Sequence, residues 1–340
     1  MRVSAAALGL AGLTSAALCY ALTMALWSWF GRYALAKPNA RSSHRVPVPE
    51  GGGIPVVIAA LSVAGLLVAF GPFSIAGKHW LAVIVAASAV MALIGFWDDI
   101  RQLPVLPRLG LQFAAAAAVV FSAPSEWQLL GGYIPPLAER AVCVVLGVWF
   151  VNLTNFMDGI DWLTVCEFVP LTASLVTLGF LGKTSPAMQV LAAALCGAII
   201  GFAPFNKPAA RLILGDAGSL PIGLLVAACL FDLAAHGAIA AAIVLPLYYI
   251  CDATFTLLRR LLRGEPVWQA HRQHAYQRAV DGLWPVRNVV ATVFCLNIGL
   301  GALAVVAATR HTIAPVLGAA LLALALVCIV LRRFTKKIPV

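Results

Sequence analysis

Long apolar runs separated by short polar segments dominate the hydrophobic pattern of this 340-residue chain. The runs are rich in Ala, Leu and Val, and most are as long as the roughly 20 residues that a helix needs to cross a bilayer. They lack the alternating segments of about ten residues that are typical of membrane β-barrels. The pattern therefore predicts an all-α fold, a polytopic transmembrane helix bundle.

Eleven candidate spans can be placed on the sequence, and ten is the alternative because the fourth is short and the eighth begins inside a polar motif. Their approximate limits are 4–30, 52–72, 79–97, 110–123, 138–154, 163–182, 186–204, 214–231, 235–257, 288–308 and 312–331. The polar segments between them are too short to form a separate soluble domain. We therefore expect one integral membrane domain over residues 1–340.

Composition and charge support this interpretation and orient the chain. Hydrophobic residues make up 62% of the sequence, charged residues only 11%, and the formal net charge is +10. Alternate loops hold 18 of the 23 Lys and Arg residues, and the positive-inside rule assigns that side to the cytoplasm. The N-terminus is then outside and the C-terminus inside, and the basic balance requires no nucleic-acid partner. The cytoplasmic loops are expected at 31–51, 98–109, 152–162, 205–216 and 258–287.

The first acidic motif, Asp98-Asp99, ends the third predicted span. Two adjacent carboxylates repel each other, which favours a cation or a proton beside them. Arg108 and Gln112 follow at the start of the fourth span and could face a phosphate. A solvated helix end is the alternative explanation.

The second motif contains two Asn and two Asp residues within ten positions, between two spans: Asn152, Asn155, Asp158 and Asp161. Amide and carboxylate oxygens are ligands for hard cations such as Mg²⁺. Helix capping and turn chemistry could explain the same residue types. Because the motif is so dense, we favour a functional interpretation.

The third motif, Gly215-Asp216-Ala217-Gly218-Ser219, opens the eighth predicted span and follows Asn206. Glycines allow backbone N–H groups to approach a phosphate at a helix N-terminus, and Asp216 could bind a metal that bridges phosphates. An ordinary helix cap is the alternative.

Two basic segments complete the set. The first contains His271-Arg272-Gln273-His274, followed by Arg278. It lacks the further ligands of a zinc site and suits phosphate binding. A solvated basic face is the alternative. The segment from Asn39 to Gly53 contains His44 and a Gly run and suits an anionic ligand, or else forms a rigid connector.

On these segments the chain resembles the polyprenyl-phosphate N-acetylhexosamine-1-phosphate transferases of glycosyltransferase family 4 type. The segment HRQHAYQR resembles the O-antigen-initiating branch more than the peptidoglycan branch. The matching segments, in family order, are PNARSSHRVPVPEGGG, WDDIRQLPVLPRLGLQ, NLTNFMDGID, NKPAARLILGDAGS and HRQHAYQR. The resemblance implies that a polyprenyl phosphate attacks the β-phosphorus of a UDP-N-acetylamino sugar and that UMP leaves. This would be the first membrane step of a cell-surface polysaccharide such as O-antigen.

The resemblance also implies Mg²⁺ as cofactor, with Mn²⁺ as an alternative. Asp216 and Asn155 would bind the metal, Asp98 would orient or deprotonate the lipid phosphate with support from Asp99, and Asp161 would read the uracil ring. The predicted catalytic residues are Asp98, Asp99, Asp158, His271 and His274, and the predicted substrate-binding residues are Asn152, Asp161, Arg108, Asn206, Arg272, Arg278 and His44. The expected partners are the membrane, the lipid phosphate and the UDP-sugar, with a homodimer as one option. The expected location is the bacterial inner membrane, with the site facing the cytoplasm.

The chain departs from the family pattern at two positions. Trp162 stands where the family usually has Gly, which could narrow the nucleotide pocket, and Glu50 stands where it often has Arg. A secondary transporter for an anionic solute is the alternative function, but transporters place polar groups near the midplane, in broken helices and repeated halves. No repeat is evident here. An inactive binding scaffold is a third hypothesis.

Overall fold

The structure is a computed structural model that describes residues 3–33, 35–36, 48–101, 103–130, 132–266, 271–310 and 312–336. The described residues are mainly helical, which confirms the predicted polytopic helix bundle, and a two-residue antiparallel pair, β1 (Leu35–Ala36) with β2 (Val48–Pro49), is the small exception. The helices are α1 (Ala5–Ala25), α2 (Trp27–Tyr33), α3 (Gly53–Phe70), α4 (Ile75–Arg101), α5 (Val105–Phe121), α6 (Pro136–Met157), α7 (Leu163–Phe180), α8 (Pro186–Asn206), α9 (Asp216–Leu233), α10 (Ile239–Val244), α11 (Leu247–Leu262), α12 (Ala275–Asp281), α13 (Val286–Thr309) and α14 (Ile313–Thr335).

Nine helical stretches within the described residues are long and apolar enough to cross a membrane, judged by length and composition. One of them, Asp216–Val244, joins α9 to α10 through a turn of π-helix. Helix α5 is shorter and lies at the fourth predicted span. The first predicted span is also interrupted, because α1 ends before Leu26 and α2 follows. The number of crossings, eleven or ten, stays a prediction.

The helix axis changes direction within the stretch Asp216–Val244. His236 and Gly237 leave helical geometry, and Gly237 has a φ of 77°, which a glycine adopts without strain. Near the end of α9, the Asp232 carboxylate accepts a hydrogen bond from the Ser185 amide, which precedes α8 (2.7 Å). Asp252 in α11 accepts a hydrogen bond from the Ala275 amide, and the adjacent Tyr276 hydroxyl contacts the carbonyl of Phe156, near the end of α6. Helices α10 and α11 therefore return across the bundle, in the position of the ninth predicted span.

Helix α9 lies in the centre of the bundle, and most of its side chains are buried. Its first turn touches two neighbouring helices through glycines. A Cβ atom on Gly53 of α3 would overlap the backbone of Gly218, and one on Gly95 of α4 would overlap the carbonyl of Asp216. Small residues allow membrane helices to approach this closely. The glycines thus bring the ends of α3 and α4 against the start of α9, and we call this side of the bundle the site face.

A buried polar pair joins two other helices in the interior. The Asn297 amide of α13 donates to the Glu167 carboxylate of α7 (2.7 Å) and to the carbonyl of Cys166 (3.1 Å). Glu167 is completely buried. Hydrogen bonding offsets part of the cost of placing such a carboxyl group in an apolar interior.

Candidate active site

The carboxylates of Asp98 and Asp216 meet at one guanidinium group on the site face. Nη1 of Arg108 forms an ion pair with Oδ2 of Asp98 and lies 3.4 Å from Oδ2 of Asp216. The Asp98 carboxylate also accepts a hydrogen bond from the Leu103 amide (2.6 Å). The Asp98 side chain is 9% exposed and that of Asp216 is 26% exposed. Asp216 is therefore the more accessible of the two to a ligand.

Asp99 has a different environment from its neighbour in sequence. Its two oxygens accept hydrogen bonds from the backbone amides of Asp216 (2.8 Å) and Ala217 (3.1 Å). These are orphan N–H groups in the first turn of α9. Asp99 was predicted as a catalytic residue, and the structure places it as a cap that fixes the start of α9 against the end of α4.

Asn155 adjoins Asp216 on the other side. Its Nδ2 lies 2.5 Å from Oδ1 of Asp216 and 2.9 Å from Oγ of Ser219. The two ends of an amide are assigned from such contacts, so either end of Asn155 can be directed toward Asp216. Asn155 and Asp216, the two predicted metal ligands, are therefore adjacent.

This donor set fits Mg²⁺ bound together with a diphosphate. In the described part of the chain, no group of three or more His, Cys, Asp or Glu side chains is arranged to hold a metal. Mg²⁺ is commonly bound by one or two carboxylates, with substrate phosphates and water completing its shell. Asp216 with Asn155, and Asp98 beside them, supplies that number of protein ligands.

The remaining polar residues of the second motif are held by neighbours. Asn152 donates to Oε1 of Gln112 (2.6 Å) and to the carbonyl of Val148 (2.8 Å). Asp158 accepts a hydrogen bond from the Thr164 hydroxyl (2.5 Å). Burial raises the pKa of Asp158 to about 6, outweighing the effect of this hydrogen bond. Asp158, which was predicted to be catalytic, is therefore better suited than an ordinary carboxyl group to exchange a proton near neutral pH.

Asp161 and Asn206 connect two loops of the site face. The Asp161 carboxylate accepts a hydrogen bond from the Ala210 amide (2.9 Å). Asn206 accepts one from the Trp162 amide (2.8 Å) and donates to the carbonyl of Leu212 (3.0 Å). Both side chains are buried. The structure thus gives each a role in shaping the loops, and their predicted contacts with substrate stay predictions.

Trp162 occupies left-handed backbone space, with a φ of 64°. Its indole N–H donates to the carbonyl of Ala203 in α8 (2.7 Å), so the ring is attached to that helix. A positive φ explains in physical terms why glycine suits this position. The predicted narrowing of a nucleotide pocket stays a prediction.

Glu50 adds another carboxylate to the group, which we call the acid cluster: Glu50, Asp98, Asp99, Asp158 and Asp216. A Cβ atom on Gly215 would lie 2.9 Å from Cγ of Glu50. Burial raises the pKa of Glu50 to about 7, with further contributions from Asp216, Asp158 and Asp98. The sequence marked Glu50 only as a departure from the family pattern, although its position before the Gly run was the available signal.

The histidine segment is positioned by a residue that the sequence did not single out. Asp252 accepts hydrogen bonds from the amides of Ala275 (2.8 Å) and Tyr276 (3.3 Å). The His274 ring is 2% exposed and lies between His271 (centroids 4.8 Å apart) and Tyr276 (5.8 Å). His274 was predicted to be catalytic, but its burial favours a structural role. His271 is the more exposed of the two imidazoles.

Arg272 and Arg278 lie apart from the acid cluster. Arg272 forms an ion pair with Asp281 (2.8 Å), and both arginines line a cavity between α11, α12 and α14. The structure does not place either of them against the residues of the acid cluster. His44 lies outside the described residues.

Comparison with known proteins identifies relatives that match the part of the chain containing most of the acid cluster. The model of the glycosyl transferase family 4 matches residues 81–234, which include all of the acid cluster except Glu50. The chain resembles glycosyl transferase family 4 over this central region. It is 28% identical to a decaprenyl-phosphate N-acetylglucosaminephosphotransferase of Mycobacterium tuberculosis, over 93% of this chain and 87% of that protein.

A second kind of relative belongs to the same group. The chain is 31% identical to a phospho-N-acetylmuramoyl-pentapeptide-transferase of Streptococcus pyogenes, over 58% of this chain and 65% of that protein. A decaprenyl-phosphate N-acetylglucosaminephosphotransferase of Mycolicibacterium smegmatis is also 31% identical, over 65% of this chain and 59% of that protein. The relatives therefore include enzymes named for two different sugar phosphates, and the family as such does not define one sugar.

Proposed function

We propose that this membrane protein transfers an N-acetylamino-sugar 1-phosphate from a UDP-sugar to a polyprenyl phosphate. An oxygen of the lipid phosphate forms a bond to the β-phosphorus of the donor, the bond from that phosphorus to the bridging oxygen breaks, and UMP leaves. One observation carries the proposal: Asp98 and Asp216 share Arg108, with Asn155 beside them, at the N-terminus of a buried membrane helix. The names of the relatives support the same general reaction.

Phosphoryl transfer depends mainly on positioning and on neutralising charge. Mg²⁺, which Asp216 and Asn155 would hold, supplies Lewis-acid neutralisation of the donor diphosphate when bound. Arg108 supplies a fixed positive charge within the acid cluster, where it can pair with a phosphate oxygen. Asp98, held by Arg108 and by the Leu103 amide, would orient the lipid phosphate or accept its proton.

The donor would bind beside the contact between the second motif and the histidine segment. The Tyr276 hydroxyl donates to the carbonyl of Phe156 (3.2 Å), so the two segments are in direct contact. His271, at the exposed end of the His271–His274 stack, is the group we assign to the donor diphosphate. From the second motif, Asp158 and Asn152 would contact the same donor. Asp161 would contact the nucleobase, as the resemblance to the family implies.

We further propose that the reaction is the first membrane step of a cell-surface polysaccharide such as O-antigen, with the site on the cytoplasmic side of the inner membrane. The distribution of Lys and Arg between the loops supports this orientation. The acid cluster at helix ends, rather than near the midplane, favours the transferase over the alternative of an anion transporter.

A transfer assay tests the proposal. Purified protein in lipid nanodiscs receives polyprenyl phosphate and one of several radiolabelled UDP-N-acetylamino sugars, with Mg²⁺, with Mn²⁺ or with EDTA. We expect labelled lipid diphosphate and UMP in equal amounts, only when a divalent cation is present. Asp216→Asn should lower the rate at least about a hundredfold, because it removes one charge from the metal site.

The matched control is Glu126→Gln, the same carboxylate-to-amide change at an exposed residue between α5 and α6. Full activity of Asp216→Asn would show that the metal assignment is wrong. Transport of UDP-sugar into sealed liposomes without any lipid product would favour the transporter instead.

A further inference from the structure

A cavity of about 400 Å³ lies between α11, α12 and α14 on the site face. Four arginines line it: Arg259 from the last turn of α11, Arg263 directly after that helix, and two from the segment that contains α12. The lining residues are Asp252, Phe255, Thr256, Arg259, Arg263, Arg272, Gln273, Ala275, Arg278, Leu331 and Thr335. The cavity is thus strongly basic.

Helix α12 separates this cavity from the acid cluster. A Cβ atom on Gly159 would meet the Tyr276 hydroxyl and Nε2 of Gln277, so these two side chains face the second motif. Ala275 and Arg278 line the cavity. Residues one and two positions apart on a helix differ by about 100° and 200° in direction, which places the two pairs on opposite sides of α12. The cavity is therefore a second region, behind the proposed donor site.

Three of the four arginines that line the cavity have no partner of opposite charge among the described residues, whereas Arg272 is paired with Asp281. No hydrogen bond or ion pair joins the side chains of Arg259, Arg263 or Arg278 to another residue in the part of the chain that the structure describes. Arg278 is nevertheless half-buried. The acidic residue in the lining, Asp252, is 2% exposed and accepts hydrogen bonds from two backbone amides. A half-buried guanidinium group with no counter-charge favours a bound anion.

The cavity opens at the boundary between apolar and basic surface. Phe255, which lines it, is 56% exposed, and Leu258 and Leu262 on the same helix are exposed as well. At the end of α14, the Arg333 guanidinium lies 5.7 Å from the centre of the Trp284 ring. Tryptophan and arginine at helix ends mark the interface between the hydrocarbon core and the headgroups. An anion in this cavity would lie at the depth of lipid phosphates.

We propose that this cavity binds the phosphate of an anionic phospholipid headgroup from the surrounding leaflet. Arg272 and Arg278 would contact the phosphate, Arg259 and Arg263 would supply attraction at the rim, and Phe255 would contact the upper part of an acyl chain. Inorganic phosphate and the diphosphate of the donor offer related chemistry. The experiment therefore includes both as separate ligands.

The test measures the thermal unfolding midpoint of the delipidated full-length protein in detergent against ligand concentration. The ligands are dioctanoyl phosphatidylglycerol, dioctanoyl phosphatidylcholine, sodium phosphate and UDP. We expect saturable stabilisation by phosphatidylglycerol and much less by phosphatidylcholine or phosphate at equal concentration. Arg278→Gln should weaken the apparent affinity for phosphatidylglycerol about tenfold, the loss expected for one hydrogen bond between charged groups.

A second variant and a control distinguish weaker lipid binding from a folding defect. The double variant Arg259→Gln with Arg263→Gln changes only exposed residues at the rim and should also weaken binding. Arg332→Gln, an exposed arginine of α14 outside the lining, should leave binding unchanged. Equal stabilisation by phosphatidylcholine, equal stabilisation by inorganic phosphate, or unchanged binding in both cavity variants would overturn the proposal.

The measurement with UDP separates this inference from the proposed transferase activity. If UDP competed with phosphatidylglycerol and Arg278→Gln raised the KM for the UDP-sugar tenfold or more, the cavity would belong to the donor site and the lipid proposal would be wrong. Because the primary readout is binding, an inactive preparation could still bind the lipid, and an active enzyme could still fail to bind it.

Discussion

The Asp99 carboxylate accepts a hydrogen bond from the backbone amide of Asp216, at 2.8 Å. With its second bond, to the Ala217 amide, Asp99 caps the helix that presents Asp216. Asp98, the preceding residue, instead forms an ion pair with Arg108. Two adjacent carboxylates at one helix end thus have separate functions, one in fixing the backbone and one in presenting charge.

Replacing each of these two residues by alanine in a separate variant should distinguish the two functions. Asp99→Ala leaves two amides of the first turn of α9 without their partner, so we expect it to lower the free energy of unfolding by about 1–2 kcal/mol. Asp98→Ala should change stability less and should reduce the transfer rate more. Thermal unfolding and initial rates at saturating substrate measure the two effects. Equal stability losses in both variants would contradict this division.

The close approach of α4 to α9 requires glycine at position 95. Gly95→Ala would force the new methyl group into the carbonyl of Asp216, so we expect a loss of about 1–3 kcal/mol in unfolding free energy together with lower activity. Gly65→Ala is the matched control, because nothing lies within 4 Å of its Cβ position. That variant should stay within about 1 kcal/mol of the wild type. The prediction would be refuted by equal effects at both positions.

The left-handed backbone at Trp162 can be tested with a pair of substitutions. Trp162→Gly and Trp162→Ala both remove the indole and its hydrogen bond to Ala203, but only glycine adopts a φ of 64° without strain. We expect the glycine variant to be more stable than the alanine variant by about 1 kcal/mol. Chemical denaturation of both variants measures this difference, and equal stabilities would show that the backbone is not strained there.

The raised pKa of Glu50 predicts how stability depends on pH. The pKa rises from 4.5 to about 7, so the folded protein holds this proton more tightly than the unfolded chain. Stability should therefore fall as the pH rises between these two values. Asp158, whose pKa is about 6, should contribute in the same direction. Thermal unfolding in EDTA, from pH 4.5 to 7.5, measures the slope.

Glu50→Gln removes one of these titrations and should make the slope shallower. Glu126→Gln, which changes an exposed carboxylate remote from the acid cluster, should leave the slope as in the wild type. A slope that is unchanged by Glu50→Gln would show that Glu50 does not retain its proton in the folded state.

The predicted orientation can be measured with single cysteines. Arg263→Cys should react with a membrane-impermeant maleimide only from the cytoplasmic side, and Glu126→Cys, between α5 and α6, only from the other side. Both need a background without Cys295 and Cys328, the exposed native cysteines. Periplasmic labelling at Arg263→Cys would reverse the assigned topology.

The sequence was sufficient to predict the helix bundle and to select two motifs that meet in the fold. Apolar length predicted the helical bundle, and the predicted metal ligands Asn155 and Asp216 are adjacent in the structure. Each of these predictions depends on local residue types. The Lys and Arg distribution likewise depends only on position between spans, so it could be read without any tertiary contact.

The functions of Asp99, His274 and Asp252 could not be read in this way. Asp99 and Asp216 are 117 residues apart in the chain, and only the packing of α4 against α9 shows that one caps the other. His274 has the same residue type as His271, and its burial depends on Asp252 and Tyr276. Asp252 itself belongs to no recognisable motif, because the amides that it binds lie 23 and 24 residues further along the chain.

Helix α9 is fixed at both ends by carboxylates. Asp99 contacts its first turn, and near its other end Asp232 contacts the Ser185 amide. At about 1.5 Å per residue, its 18 residues measure about 27 Å, close to the roughly 30 Å of a bilayer's hydrocarbon core. The length of α9, rather than any loop, therefore sets the height of Asp216 above the midplane of the bilayer. A lipid-anchored phosphate would find its reaction partner by lateral diffusion alone, without leaving its own level in the leaflet.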